Sequence, residues 1–338
     1  MRLSIFSVLD HHPGRGRTLA QLYDQVIGEC EHADRLGYES FLIAEHHFHE
    51  YGGVPNPAVL LPVMAARTER IRLGPAICVL PFRNPIEVAE SYAMVDMLCR
   101  GRLVLGLGSG YLQHEFKGFG IEPGEKRDRF DEALSVVTRL LEGGRVSHEG
   151  RFFRLDDVAL NVAPVQRPHP PIYVAILRKD AAYHVGVKGQ RILSVPYASV
   201  DRFEDVEGIV REYRAGRAEA GLPTSEDDAI FAFHCHVAET DAQARAEAKD
   251  AFDLYVATRL YAKRQTYDDI LESGVGLLGS VDTVAARLAT LRDWGIEHTA
   301  LLGNFGLMPT ELVRRSMTTM IREVLPRVAS AADEGTAA

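Results

Sequence analysis

Apolar residues along this chain come in short bursts, each followed by a longer stretch at helical spacing. Residues 3–8 predict a strand, and Thr18 to Leu36 predict a helix with apolar positions three and four apart. Strand 39–44 follows, then a helix from about Asn56 to Thr68 with Pro57 just inside its start. Ile71 to Leu80 reads as the third strand. Asn84 and Pro85 cap and open the next helix, and Arg102 to Gly108 is the fourth strand. The rhythm then breaks. A Gly-rich loop spans Gly108 to Lys126, a helix runs from about Arg127 to Glu142, and a polar, hairpin-like excursion covers 145–160. Pro164, Pro168, Pro170 and Pro171 lead into strand Ile172 to Ile176. After it come a helix near 180–187, strand Arg191 to Val195, a helix over 203–220 and strand Ile230 to Val237. Residues 240–298 are too long for one crossover. They read as a helix to about Asp253, an irregular Tyr-rich insertion to Gly279, and a helix from Val281 to Trp294. Strand Thr299 to Leu302 and helix Thr310 to Val324 complete the pattern.

Strand–helix units repeated in this way predict an α/β fold, a closed (β/α)8 TIM barrel with insertions after strand 4 and between strand 7 and strand 8. The alternative is an open doubly wound sheet, less usual for so many strands at this length. No Pro-, Gly- or Ser-rich linker divides the chain, so residues 1–328 read as a single domain and 329–338 as a flexible polar tail. Composition narrows the partners. Of 338 residues, 46% are hydrophobic and 25% charged, which is ordinary for a soluble globular protein. A net charge of −9 without basic blocks disfavours nucleic acid. There is no apolar run of about 18 residues, so no membrane span is expected. The opening Met1 to Asp10 reads as a strand rather than a signal peptide. None of Cys30, Cys78, Cys99 and Cys235 is at CxxC spacing. Neither a metal nor a redox motif is expected, and the reading is a cytoplasmic protein.

The most telling stretch is Glu45-His46-His47-Phe48, directly after the second strand. In a parallel α/β fold that end of the strand carries ligand sites. Histidine titrates near neutral pH, so a pair there suits proton transfer or stabilisation of a developing anion.

With the barrel and this quartet together, the chain resembles the bacterial luciferase-like flavin monooxygenases. Further segments carry the resemblance in order: Gly53-Val54-Pro55-Asn56-Pro57, Thr68 to Gly74, Asn84-Pro85, Ala89-Glu90, Gly101-Arg102-Leu103 and Glu115-Phe116 with Phe119-Gly120. Pro170 to Ala175, Gly303-Asn304-Phe305-Gly306 and Ser316-Met317 continue it. The resemblance implies FMN at the C-terminal ends of the strands, reduced by a separate flavin reductase. It implies a two-component monooxygenase in which a flavin 4a-hydroperoxide passes one oxygen atom to a small organic substrate. It also implies a homodimer built on the second and third helices, with Glu90 in or near that interface.

The resemblance assigns His46 as the catalytic acid/base, with His47 beside it and Glu45 orienting a histidine. It implies a cis peptide at Ala76-Ile77 beneath the flavin, and cofactor contacts from Gly108, Ser109, Tyr111 and Ala175. Two departures stand out. Gly108 occupies the place of the family's flavin-adjacent cysteine, and Ser109 that of a phosphate-binding arginine. The usual Ser or Thr at the start of the fifth helix is also missing, so Arg178 and Lys179 become the expected phosphate contacts at a helix N-terminus. Phe6 reads as barrel core, with Ser7 and Leu9 near the pocket floor. The 253–279 insertion reads as a lid carrying Tyr255, Tyr261, Tyr267, Arg259, Lys263 and Arg264. Two rival readings remain open: a deazaflavin-dependent hydride-transfer enzyme on the same barrel, and a non-catalytic flavin-binding partner subunit.

Overall fold

A computed structural model describes residues 1–259 and 265–329. Its core is a ring of parallel strands: β1 (Arg2–Ser7), β2 (Ser40–Ile43), β3 (Arg72–Pro75), β4 (Leu105–Gly108), β5 (Ile172–Ile176), β6 (Arg191–Ser194), β7 (Ala229–Ala238) and β8 (His298–Leu302). Neighbours run β3-β2-β1-β8-β7-β6-β5-β4. The ring closes where Leu73 meets Leu103. There Leu73 donates its N–H to the Arg102 carbonyl at 2.9 Å, and Val104 donates to the Leu73 carbonyl at 2.8 Å. A ninth parallel strand, Leu277–Ser280, pairs with the outer half of β7. This is the expected TIM barrel. Helices cover the outside and side chains fill the inside, so strand residues are buried on both faces and read as continuous apolar runs.

Local chemistry sets the helix starts. Thr18 and Gln21 form a reciprocal capping box ahead of Leu19–Leu36. Asn84 accepts the Ile86 N–H, and Pro85 opens the helix Pro85–Leu98. The helix Pro57–Ala66 also begins on proline.

The structure corrects three expectations. The third strand is not continuous to Leu80: β3 stops at Pro75, a cis peptide joins Ala76 to Ile77, and pairing with β4 resumes at Cys78–Val79. The loop after β4 holds a short helix, Gln113–Phe119. The 253–279 segment is not an irregular lid over its described part. The helix Asp241–Thr258 runs past Asp253, and the helix Tyr267–Ser273 follows under a Thr266–Asp269 capping box. Tyr255 and Tyr267 pack on Phe252 with both rings buried. These tyrosines lie on the buried faces of two helices rather than on an irregular lid. Tyr261, Lys263 and Arg264 lie outside the described residues, as does the tail beyond Ala329. Among the described residues no helix is long and apolar enough to cross a membrane.

Candidate active site

A cavity of about 260 Å³ opens over the C-terminal ends of the strands. Its wall over β2 is Ala44, Glu45 and His46; over β3, Ala76, Ile77 and Val79; over β4, Ser109, Gly110 and Tyr111. Over β5 it is Ala175 and Arg178, and Phe6 and Val8 of the β1 end complete the floor. Phe6 is thus a cavity residue as well as core. The cavity's strand order follows from the ring. His46 sits over β2, the cis bend over β3, and a basic group over β4 and β5.

His46 is held on three sides. Its Nδ1 donates to Glu115 Oε1 at 3.3 Å. Its ring lies 4.8 Å from that of Tyr51. The Gly52 backbone comes so close that a Cβ there would stand 2.6 Å from His46 Cβ. Glu115 comes from the short helix after β4, and its Oε1 also accepts the His47 N–H at 2.9 Å. The neighbouring His114 donates Nε2–H to the His47 carbonyl at 2.9 Å. One short helix therefore grips both peptide groups of His47. The mouth is also where backbone is forced: Leu9 and Phe48, neither a glycine, sit at φ 52° and 59°.

His47 itself turns away from the cavity. Its Nε2 donates to Glu45 Oε1 at 3.0 Å, and its ring meets the edges of Phe82 and Phe119. Glu45 Oε1 also accepts from Arg83 Nε at 3.2 Å. This buried carboxylate and its two partners form the support behind the loop, while Glu45 still borders the cavity.

The expected cofactor contacts divide. Ala76, Ile77, Ser109, Tyr111, Ala175 and Arg178 line the cavity; Gly108 and Lys179 do not. Gly108 acts through the space it leaves to Ile77, since a Cβ there would lie 2.1 Å from Ile77 Cδ1. A cysteine at this position would displace Ile77. Lys179 starts the helix Lys179–Val187, but its Nζ lies along the next helix, near Gly208. Arg178 is already engaged: Nε and Nη2 donate to the two Asp180 oxygens at 3.0 and 2.9 Å, and its side chain is 79% exposed. Two further cations line the cavity that the sequence reading passed over, Lys126 and Arg127 at the start of the helix Lys126–Glu142. Lys126 Nζ reaches towards the Gly110 carbonyl at 3.5 Å. The signal that would have found them is their place at a helix N-terminus, next to a loop already assigned to the site.

The chemistry of this cavity fits a flat, apolar ring system with an anionic tail. Aliphatic walls border the bend, and Ser109, Lys126, Arg127 and Arg178 line the cavity along the loops after β4 and β5.

A family model for luciferase-like monooxygenases matches residues 1–298. The chain belongs to the luciferase-like monooxygenase family. Within it, the monooxygenase RslO1 from Streptomyces bottropensis is 31% identical and superposes with a TM-score of 0.88, over 96% of this chain and 99% of that one. The oxygenase component of the flavin-dependent trigonelline monooxygenase of Acinetobacter baylyi is 26% identical over 96% of this chain and 95% of its own. The oxygenating constituent of 3,6-diketocamphane monooxygenase from Pseudomonas putida, a type II Baeyer–Villiger enzyme solved with FMN, shares the fold. Its TM-score is 0.84 at 20% identity, over 96% of this chain and 98% of that one. F420-dependent enzymes are relatives too: a glucose-6-phosphate dehydrogenase of Amycolatopsis mediterranei is 28% identical, over 58% of this chain and 59% of its own.

Proposed function

We propose that this luciferase-like enzyme is the oxygenase component of a two-component, FMN-dependent monooxygenase acting on a small organic substrate. The observation that carries the reading is one cavity with His46 on one side of the β3 bend and a group of cations on the other. Reduced FMN would supply the electrons that activate oxygen. Lys126, Arg127, Ser109 and Arg178 would hold its phosphate by charge-assisted contacts. Ala76, Ile77 and Ala175 would bed the ring, and Gly108 keeps Ile77 in place beneath it. His46 presents an imidazole to the reacting face, where it takes or gives a proton or holds an oxygen by hydrogen bonding. The apolar floor of Phe6, Val8 and Leu193 excludes water from that face.

We infer that the enzyme works as a homodimer that draws reduced flavin from a separate reductase in the cytoplasm. Val59 and Val63 on one helix and Met94, Met97 and Leu98 on the next are exposed apolar side chains. Glu90 lies at i, i+4, i+7 spacing with Met94 and Met97, half-buried and without a hydrogen-bond or ion-pair partner among the described residues. Such a stripe suits burial against its own copy. The four cysteines are free and buried, as a reducing compartment permits.

The test supplies the chain with reduced FMN, ¹⁸O₂ and a panel of ketones, terpenes and phenols. Incorporation of one labelled atom into a product supports the reading. Hydride transfer from reduced F420, with no labelled product from FMN, would transfer the chain to the deazaflavin branch. FMN binding without product on any acceptor would favour the partner-subunit reading.

A further inference from the structure

We propose that Glu115 is the positioning residue that fixes His46 as its Nδ1–H tautomer, so that Nε2 is the nitrogen offered to the cavity. The proposal rests on the reading of His46 as the group beside the reacting flavin. Glu115 is buried, and its Oε1 accepts two hydrogens: one from the His47 main chain at 2.9 Å and one from His46 Nδ1 at 3.3 Å. A carboxylate oxygen has no hydrogen to give, so Nδ1 must carry its own. In a neutral imidazole the other nitrogen is then an acceptor. Nε2 makes no hydrogen bond among the described residues, and the ring borders the cavity. The free lone pair therefore faces the space where substrate and cofactor would meet.

The arrangement is built rather than incidental. Glu115 arrives on the helix Gln113–Phe119, which His114 independently ties to the His47 carbonyl. On the opposite side the Gly52 backbone blocks the ring: an added Cβ would stand 2.9 Å from His46 Cδ2. Tyr51 covers a face. Rotation that exchanged Nδ1 and Cδ2 would trade the bond to Glu115 for a C–H facing a carboxylate. The loop after β2 thus supplies the imidazole, and the loop after β4 decides which nitrogen does the work. An Nε2 lone pair can remove a proton from an acceptor or substrate. Once it is protonated, the imidazolium keeps its bond to Glu115.

The test reads the tautomer directly, by long-range ¹H–¹⁵N correlation on histidine-labelled enzyme, with the His46 signal assigned from its loss in His46→Asn. The wild-type enzyme is expected to show Nδ1–H. Glu115→Met keeps the volume but removes the acceptor. It is expected to move His46 to the Nε2–H form and to lower turnover with reduced FMN by about 10–100-fold, the usual cost of losing an orienting partner, with flavin affinity unchanged. Glu115→Gln retains an accepting oxygen and is expected to keep the Nδ1–H signal and most of the turnover. Glu115→Ala removes the same acceptor with a smaller side chain and is expected to give the same tautomer change, which covers the case in which Glu115→Met does not fold. An Nε2–H signal in the wild type overturns the proposal. So does an unchanged tautomer in the variants that fold, other than Glu115→Gln. A tautomer change in Glu115→Met while His46→Ala keeps full turnover supports the positioning and overturns only the role given to His46.

Discussion

The two ends of this barrel bury polar groups in opposite ways. At the base, the N-terminal ends of the strands, polar side chains close on one another or on main-chain carbonyls. Ser4 Oγ lies 2.7 Å from both Ser40 Oγ and His298 Nε2. Arg102 spends its guanidinium on the carbonyls of Ala65, Thr68, Ile71 and Cys99 and on the Thr68 hydroxyl. Asp96 accepts from the main chain and side chain of Gln166. At the mouth, the partners come from different loops and leave one side chain facing a cavity, as with His46 between Glu115 and Gly52. Base networks fix where strands and helices sit. Mouth networks fix which way a reactive group points. A substitution at the base should therefore cost stability, and one at the mouth should cost turnover.

The largest break in that comparison is His46→Ala. Turnover should fall by about 10²–10⁴-fold, as for loss of a general acid–base group, with melting temperature and flavin affinity near wild type. Rapid-mixing turnover and a thermal melt on the same preparation check both halves. Its counterpart is Arg102→Ala, which orphans buried carbonyls at the base. Stability should drop by about 3 kcal/mol, read by urea unfolding, while turnover per folded molecule holds. Slow turnover in that variant would erase the division between the two ends.

Acidity sharpens the contrast. Glu29, near the mouth, takes hydrogen bonds from Gln25 and Asn304, yet burial pushes its carboxyl up to about 7. The folded state then keeps a proton that the unfolded chain releases from near 4.5, so this group's stabilisation is complete below about 4.5 and is lost as pH rises to about 7. The span corresponds to about 3 kcal/mol. His298 at the base runs the other way, since burial holds it at about 3. Its stabilisation is present above about 6.5 and is lost as pH falls towards 3. Unfolding free energies between pH 4.5 and 7.5 should show Glu29→Gln gaining steadily on the wild type. A constant gap would mean that Glu29 ionises in the folded protein as readily as in the unfolded chain.

The smallest expected effect separates cations within the mouth. Lys126→Ala with Arg127→Ala should weaken reduced-FMN binding by about 1–3 kcal/mol. Arg178→Ala should do less, because Asp180 already holds that guanidinium. Calorimetry on both variants checks the order, and equal losses would return Arg178 to the centre of the phosphate site.

The ring was legible in the sequence because burial on both strand faces writes itself as short apolar runs between capped helices; the polar networks at its base join residues far apart in the chain and were not. The place of His46 was legible because the pair follows an apolar strand, but the residues alone did not separate a site histidine from a structural one, and His47 is the structural one, bonded to Glu45. The break in the third strand was less visible: Ala76-Ile77-Cys78 is as apolar as the strand it interrupts, and only the family resemblance marked the cis bond that the structure places there. Glu115 was quoted as a motif, but its grip on His46 spans 69 positions and depends on how two loops fold together. Lys126 read as the end of the Gly-rich loop and Arg127 as the start of the next helix, and neither could be tied to the cavity until that helix was placed beside it. Lys179 had the right position in the chain, and the direction of its side chain took it elsewhere.

We propose that the mouth of this barrel is a reduced-FMN site with His46 at its reacting face. An anaerobic titration of the wild-type protein with reduced FMN, with reduced F420 as competitor, addresses it most directly. Saturable binding of one FMN per chain that F420 does not displace is expected, weakened in the Lys126→Ala, Arg127→Ala variant and unaffected in His46→Ala. Preferential binding of F420, or FMN affinity indifferent to the cations, would contradict it.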